Sequence, residues 1–314
     1  MRKQSYFRRL AFCALAFASC AAFCRQTQTE LYYSGSQTSG SAVELSDASI
    51  WKAGSPSGEE FSGSVSETAE NINVLNIEWS VPAGGSASTA FSVSQSVVAE
   101  SVNMSLEFAG NNNWSNNTLS IAGDQTLSAK GDFNISASTS TATTAVIFNL
   151  ADGAAISVGG DFNFSLNGGL GLRLVGSGNS GSLEVGGDMV FSGETVSALS
   201  FNRFGNVAVG GVLAFSGSHL MLVRDSNRWV SANRIFGGLS GSGNIELTPS
   251  EVDVNLTFTN AGTSEYSGAL VKNVNASGTD FFRRKADFAF FLRGAIRLRL
   301  RHLRQCGHNE RFGG

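Results

Sequence analysis

Four aspartates, Asp124, Asp132, Asp161 and Asp188, stand behind glycine in the strings A-G-D, K-G-D, G-G-D and G-G-D. Carboxylates set out in this way could do two kinds of chemistry. A pair could divide the acid and base roles of glycosidic bond cleavage, or a stacked column could hold Ca²⁺ through its oxygens. The pattern predicts equivalent outward positions for all four, with Val212 replacing the carboxylate in the next string, V-G-G-V-L-A-F-S. An active site breaks repetition, whereas these residues are the repetition, so the expectation is solvated turn aspartates. The calcium nonapeptide G-G-x-G-x-D is not matched.

Other chemical signals are weaker. G-S-G-N-S-G, Gly176 to Gly181, has the glycine spacing of a dinucleotide-binding loop, but such a loop opens a helix. Here the alternating string S-L-E-V-G-G-D-M-V-F follows, so a turn is expected. No G-x-S-x-G string supplies a serine nucleophile. His219 stands alone in the body of the chain, short of the three or four ligands that zinc requires. The expectation is no catalytic, cofactor-binding or metal-binding residue, and no cofactor.

The elements that position these residues come from the same repeat. L-S-A-K-G-D-F-N-I-S, S-V-G-G-D-F-N-F-S, L-E-V-G-G-D-M-V-F-S and V-A-V-G-G-V-L-A-F-S align on Gly131, Gly160, Gly187 and Gly211, at spacings of 29, 27 and 24 residues. A partial fifth copy, L-S-I-A-G-D-Q-T-L-S, begins at Leu119. Each copy alternates with period two, as a half-buried strand does. Ile156, Val158, Phe162, Phe164 and Leu166 fall on one face, and Ser157, Asp161, Asn163 and Ser165 on the other. Units of this length that cannot bury their apolar face alone must stack. The fold class expected is all-β, a parallel β-helix (β-solenoid) with coils of roughly 24–29 residues; a β-sandwich is the alternative. About ten coils stacked about 4.8 Å apart make a rod roughly 50 Å long. In this setting the inward glycine makes room at a bend, and the outward one permits a bulge or a positive φ.

The chain divides into four parts: a signal peptide at 1–22, an N-terminal cap or linker at 23–65, a solenoid at 66–278, and a basic tail at 279–314. Arg2, Lys3, Arg8 and Arg9 precede the apolar run Leu10–Phe23, too short to span a bilayer. Cleavage is expected after Ala21 or Ala22; F-A-S-C, ending at Cys20, resembles a lipobox. Cys13, Cys20, Cys24 and Cys306 leave the middle without a disulfide framework. Residues 26–278 carry 8 basic and 22 acidic side chains, a net −14 that repels nucleic acid and anionic membranes. Residues 279–314 reverse this with 9 basic and 3 acidic side chains, and serine disappears. That change, in mid-repeat, is read as a disordered stretch or the product of a frameshift, leaving the last coil uncapped.

F-G-G-L-S-G-S-G-N-I-E-L, Phe236 to Leu247, and V-N-L-T-F-T-N-A-G-T-S-E-Y-S-G-A-L, Val254 to Leu270, resemble the strand repeats of autotransporter-type passenger proteins. In those repeats a GLSGSG turn leads into a strand and a YSG turn opens the next coil. The resemblance implies a bacterial surface β-helix, apparently truncated, since neither an outer-membrane barrel nor a Pro-Glu-Pro sorting tail is present. It implies an exported structural or adhesive passenger, secreted or held at the cell surface or outer membrane of a Gram-negative-type bacterium. Its partners are then the export machinery, through the signal peptide, and a surface or extracellular glycan or protein. The alternative is a carbohydrate-active β-helix enzyme, a polysaccharide lyase or glycoside hydrolase.

Overall fold

The computed structural model describes residues 26–36, 41–82, 89–109, 117–140, 145–169, 171–177, 180–194, 199–215, 220–225, 232–249, 254–259, 265–267, 270–272, 290–291 and 296–300. Among them the chain is all-β, with a single 3-10 turn at Ala48–Ile50 as its helical element. Strands one coil apart pair in parallel. Leu127, Ile156, Leu183 and Val207 form one continuous register, which reproduces the spacing of the motif glycines. Parallel neighbours this far apart in sequence make a solenoid and exclude the sandwich built from antiparallel meanders.

Each regular coil has three lanes. The first holds Val97–Ala99, Thr126–Ala129, Ala155–Val158 and Ser182–Val185. The second holds Ser101–Phe108, Phe133–Thr139, Phe162–Asn167 and Met189–Ser192, and Asn206–Phe215 runs through both. The motif glycines form the bend between these lanes. The third lane, with Thr89–Val93, Asn117–Ile121, Val146–Leu150, Leu172–Gly176 and Leu199–Asn202, lies in a separate sheet of nine strands. At about 4.8 Å per coil, the nine strands found among the described residues rise roughly 40 Å.

The predicted faces are the observed ones. Ile156, Val158, Phe162, Phe164 and Leu166 are buried, as are Leu183, Val185, Met189, Phe191, Val207, Val209, Leu213 and Phe215. Because parallel coils repeat in register, like side chains stack. Phe133 lies 5.4 Å from Phe162, Phe164 lies 5.5 Å from Phe191, and Phe191 lies 5.8 Å from Phe215, ring centre to ring centre. Such pairs add about 0.5–1.5 kcal/mol to the burial of their area.

The solenoid begins earlier than expected. Thr27–Ser36 already pairs in parallel with Asn71–Ser80, inside the stretch assigned to a cap. The cap is the insertion between them. Lys52–Ala53 turns back antiparallel onto Leu31 and Tyr32 and pairs in turn with Glu59–Glu60, covering part of the first coil's edge. Trp51 pins it: the ring is fully buried, and its Nε1–H donates to the Leu45 carbonyl at 3.1 Å. The other end also differs from expectation. Ile296–Leu300 pairs antiparallel with Val254–Phe258, and Phe290–Phe291 with Glu265–Tyr266, so part of the basic stretch does join the fold. The stretch 1–22 expected to be a signal peptide, the four cysteines and His219 lie outside the described residues. Among the described residues no helix is long and apolar enough to cross a membrane.

Candidate ligand-binding face

The G-G-D motif is a joint between coils. The Asp161 N–H donates to Asp132 Oδ1 at 2.8 Å, the Asp188 N–H to Asp161 Oδ1 at 2.7 Å, and the Val212 N–H to Asp188 Oδ1 at 2.7 Å. Each carboxylate therefore satisfies a backbone donor of the next coil at the bend, where the sheet ladder is interrupted. The column ends at Val212, whose side chain cannot accept. One residue is lost from the register there, between Val209 and Val212.

The glycine pair follows from the same joint. A Cβ on Gly159 would lie 2.1 Å from the Lys130 carbonyl oxygen, and one on Gly186 2.4 Å from that of Gly159. A Cβ on Gly160, Gly187 or Gly211 would lie 2.3, 2.1 or 2.1 Å from the accepting oxygen of Asp132, Asp161 or Asp188. The first glycine makes way for backbone and the second for the carboxylate. None of these glycines has a positive φ, so close approach, not left-handed geometry, selects them.

Asp124 does not belong to the column. The pairing of Leu127 with Ile156 sets it level with Gly153, at the bend between the third and first lanes. There it adopts φ 58° and donates its N–H to the Asp152 carbonyl at 3.0 Å. The partial repeat at Leu119 is accordingly a third-lane strand, paired with Phe148–Leu150, and the bend after it. As expected, Gly176–Gly181 leads into a strand, Ser182–Val185, and not into a helix. No group of three potential metal ligands occurs among the described residues.

The outer face of the second lane carries a feature the sequence reading missed. Asn76, Asn103, Asn134 and Asn163 occupy one register column. Each amide donates to the oxygen of the one before it: Asn103 Nδ2 to Asn76 Oδ1, Asn134 to Asn103, and Asn163 to Asn134, all at 2.9 Å. Tyr32 precedes Asn76 in the column and Val190 follows Asn163. Two residues along, Glu78, Ser105, Ser136, Ser165 and Ser192 make a parallel column. Together they line an open groove of about 370 Å³. Tyr32 marks one end of it and donates its hydroxyl to Glu30. That hydrogen bond is the main reason its phenol is pushed above its ordinary value of 10.0. At the same end Asn76 Nδ2 is buried and without an acceptor.

Two other residues explain local order. Arg234 sits fully buried in the inward column that otherwise holds Leu183 and Val207, where alternation predicts an aliphatic side chain. Its guanidinium donates to the carbonyls of Phe204 and Gly205 and lies 4.4 Å from the Phe201 ring centre, so carbonyl dipoles and a ring face surround the charge. Tyr266, from the Y-S-G string, is buried and donates its hydroxyl to the Gly243 carbonyl in the G-S-G turn of the coil below. Burial pushes its phenol up to about 12, against the opposing effect of a backbone hydrogen bond. The two strings that carry the family resemblance are thus in contact across one coil step.

No protein-family model, curated protein or solved structure matches this chain.

Proposed function

We propose that this protein is an exported, non-catalytic passenger that presents its solenoid face to the surroundings of a Gram-negative-type cell, in a structural or adhesive role. The observation that carries this reading is the repeated outward chemistry of the second lane, where columns of asparagine and serine run from coil to coil along an open groove. A repeated polar face offers many weak, equivalent contacts, which suits attachment to a polymer or surface by multivalency. The aspartate column supports the same reading over the enzymatic alternative. Acid–base cleavage needs a carboxyl placed to exchange a proton with substrate, and each ladder carboxylate is already tied to the next coil's N–H. The strand-repeat resemblance and the basic, apolar N-terminal segment support export.

Two measurements test this. Purified protein incubated with acidic and neutral polysaccharides should bind to coated surfaces while releasing neither reducing ends nor unsaturated products; release overturns the non-catalytic reading. Protein recovered from the envelope or medium should begin near Ala22 to Arg25, or at a lipid-bearing Cys20. An intact Met1 on most molecules overturns export.

A further inference from the structure

We infer that the second-lane groove binds an uncharged, extended polysaccharide lying parallel to the solenoid axis, with its sugar rings over the asparagine and serine columns and one ring stacked on Tyr32. The inference rests on the adhesive reading above and names its ligand and site. Four observations carry it.

First, the columns have the right repeat. Like groups recur at every coil, about 4.8 Å apart, close to the advance per ring of a fully extended β-linked hexopyranose chain. Second, the floor has hydrogen-bonding capacity to spare. A side-chain amide has two N–H donors and an oxygen with two lone pairs. Asn103 and Asn134 each spend one donor and one lone pair on the ladder, so one of each remains. The serine hydroxyls beside them can both donate and accept, and sugar hydroxyls need partners of that kind. Third, Tyr32 supplies a ring at the groove end. Its hydroxyl is anchored to Glu30, which holds the ring in place to receive the apolar face of a sugar. Fourth, the charge is wrong for a polyanion. Glu78 is the one carboxylate in the two columns, and the surrounding net −14 of residues 26–278 would repel uronic acid or sulfated chains. A peptide added as a strand is disfavoured for a separate reason. It needs an unpaired sheet edge, whereas these residues lie on the face of strands paired on both sides.

The test uses the full mature chain and cello-oligosaccharides of increasing length, with binding read by titration calorimetry. Affinity should climb from the disaccharide to about five or six rings, the span of the column from Tyr32 to Val190 at one ring per coil, and then level off. Tyr32→Ala should lower affinity for the longest oligosaccharide at least tenfold. Its melting temperature reports whether the fold survives; Ser136→Arg, at an exposed position of the serine column, is a second variant expected to block the same site. Helical α-linked malto-oligosaccharides and polygalacturonate should bind at least tenfold more weakly than the cello series. Affinity independent of length, or unchanged in both folded variants, overturns the groove assignment while leaving adhesion intact. Failure to bind any cello-oligosaccharide, with attachment to protein-coated or whole-cell surfaces retained, overturns the ligand class alone. Loss of all attachment, or cleavage of the oligosaccharides, overturns the adhesive reading itself.

Discussion

Replacing Asp161 by alanine removes the acceptor of the Asp188 N–H without disturbing the buried faces of either coil. That N–H lies at a partly buried bend and has its hydrogen bond at 2.7 Å. A hydrogen bond to an ionised acceptor contributes about 1.5–3 kcal/mol, and a stranded donor that can partly reach water loses less than the full amount. The expected cost is therefore about 1–2 kcal/mol. Asp161→Asn keeps an oxygen in the same place and should cost no more than an ordinary surface substitution, about 0.5 kcal/mol. Gly187→Ala attacks the joint from the other side, because its Cβ would meet the same Oδ1 at 2.1 Å and the Gly160 carbonyl oxygen at 2.8 Å. Alone it should cost more than Asp161→Ala, since backbone must shift. Combined with Asp161→Ala it should cost less than the sum, since one of the two clashes is gone. Urea melts of the four variants and the wild type measure each value. The joint is refuted if Asp161→Ala is as stable as wild type, or if alanine and asparagine at 161 are equally destabilising.

Three further outcomes are expected. Phe162→Asp places an unpaired charge at a fully buried position packed against Phe133 and should cost about 4 kcal/mol, at least twice the effect of Asp161→Ala, as urea melts will show. Glu44 is half-buried, which raises its pKa, but hydrogen bonds from Ser94, Ser46 and Ser92 outweigh burial and hold it below its ordinary 4.5. Its stabilisation is complete above that value and is lost as pH falls through the depressed one, so the melting-temperature gap between wild type and Glu44→Leu should narrow on acidification below about pH 4.5; a constant gap from pH 3 to 7 rejects it. Tyr266→Phe leaves the Gly243 carbonyl without its hydroxyl donor and should cost about 1–2 kcal/mol, and in wild type the slowest-titrating tyrosine absorbance should appear near pH 12.

What was legible in the sequence was what depends on a single chain pass. The alternation of Ile156 to Leu166 reports which side is covered, whatever covers it, so the buried face could be read directly. The G-G-D recurrence gave the coil length for the same reason. Its cause was not legible, because the atoms that forbid a Cβ at Gly159 and Gly187 belong to the preceding coil, a full repeat away along the chain. Asp124 was misplaced because A-G-D-Q imitates G-G-D locally while register, a property of pairs, assigns it to another bend. The asparagine column had a usable signal: Asn103, Asn134 and Asn163 recur once per coil, in phase with the repeat. The signal is easily passed over because these outward polar residues show no periodic contrast with their neighbours. Arg234 had none, since a charge in an inward phase reads as the end of a strand unless the carbonyls of Phe204 and Gly205 are already known to meet it.

The aspartate joint is the same below and above the coils of Asp161 and Asp188, and this bears on the gene as well as the molecule. Deleting residues 161 through 187 would fuse Gly160 to Asp188, restoring G-G-D across the splice and setting the Asp188 N–H over Asp132, whose oxygen accepts the same bond today from Asp161. The apolar positions would realign too, with Met189 falling over Phe133 where Phe162 now lies. Unequal crossing-over between such segments changes the height of the rod by whole coils while demanding no new interface, so length is the property of this protein that mutation can alter at least cost to its fold.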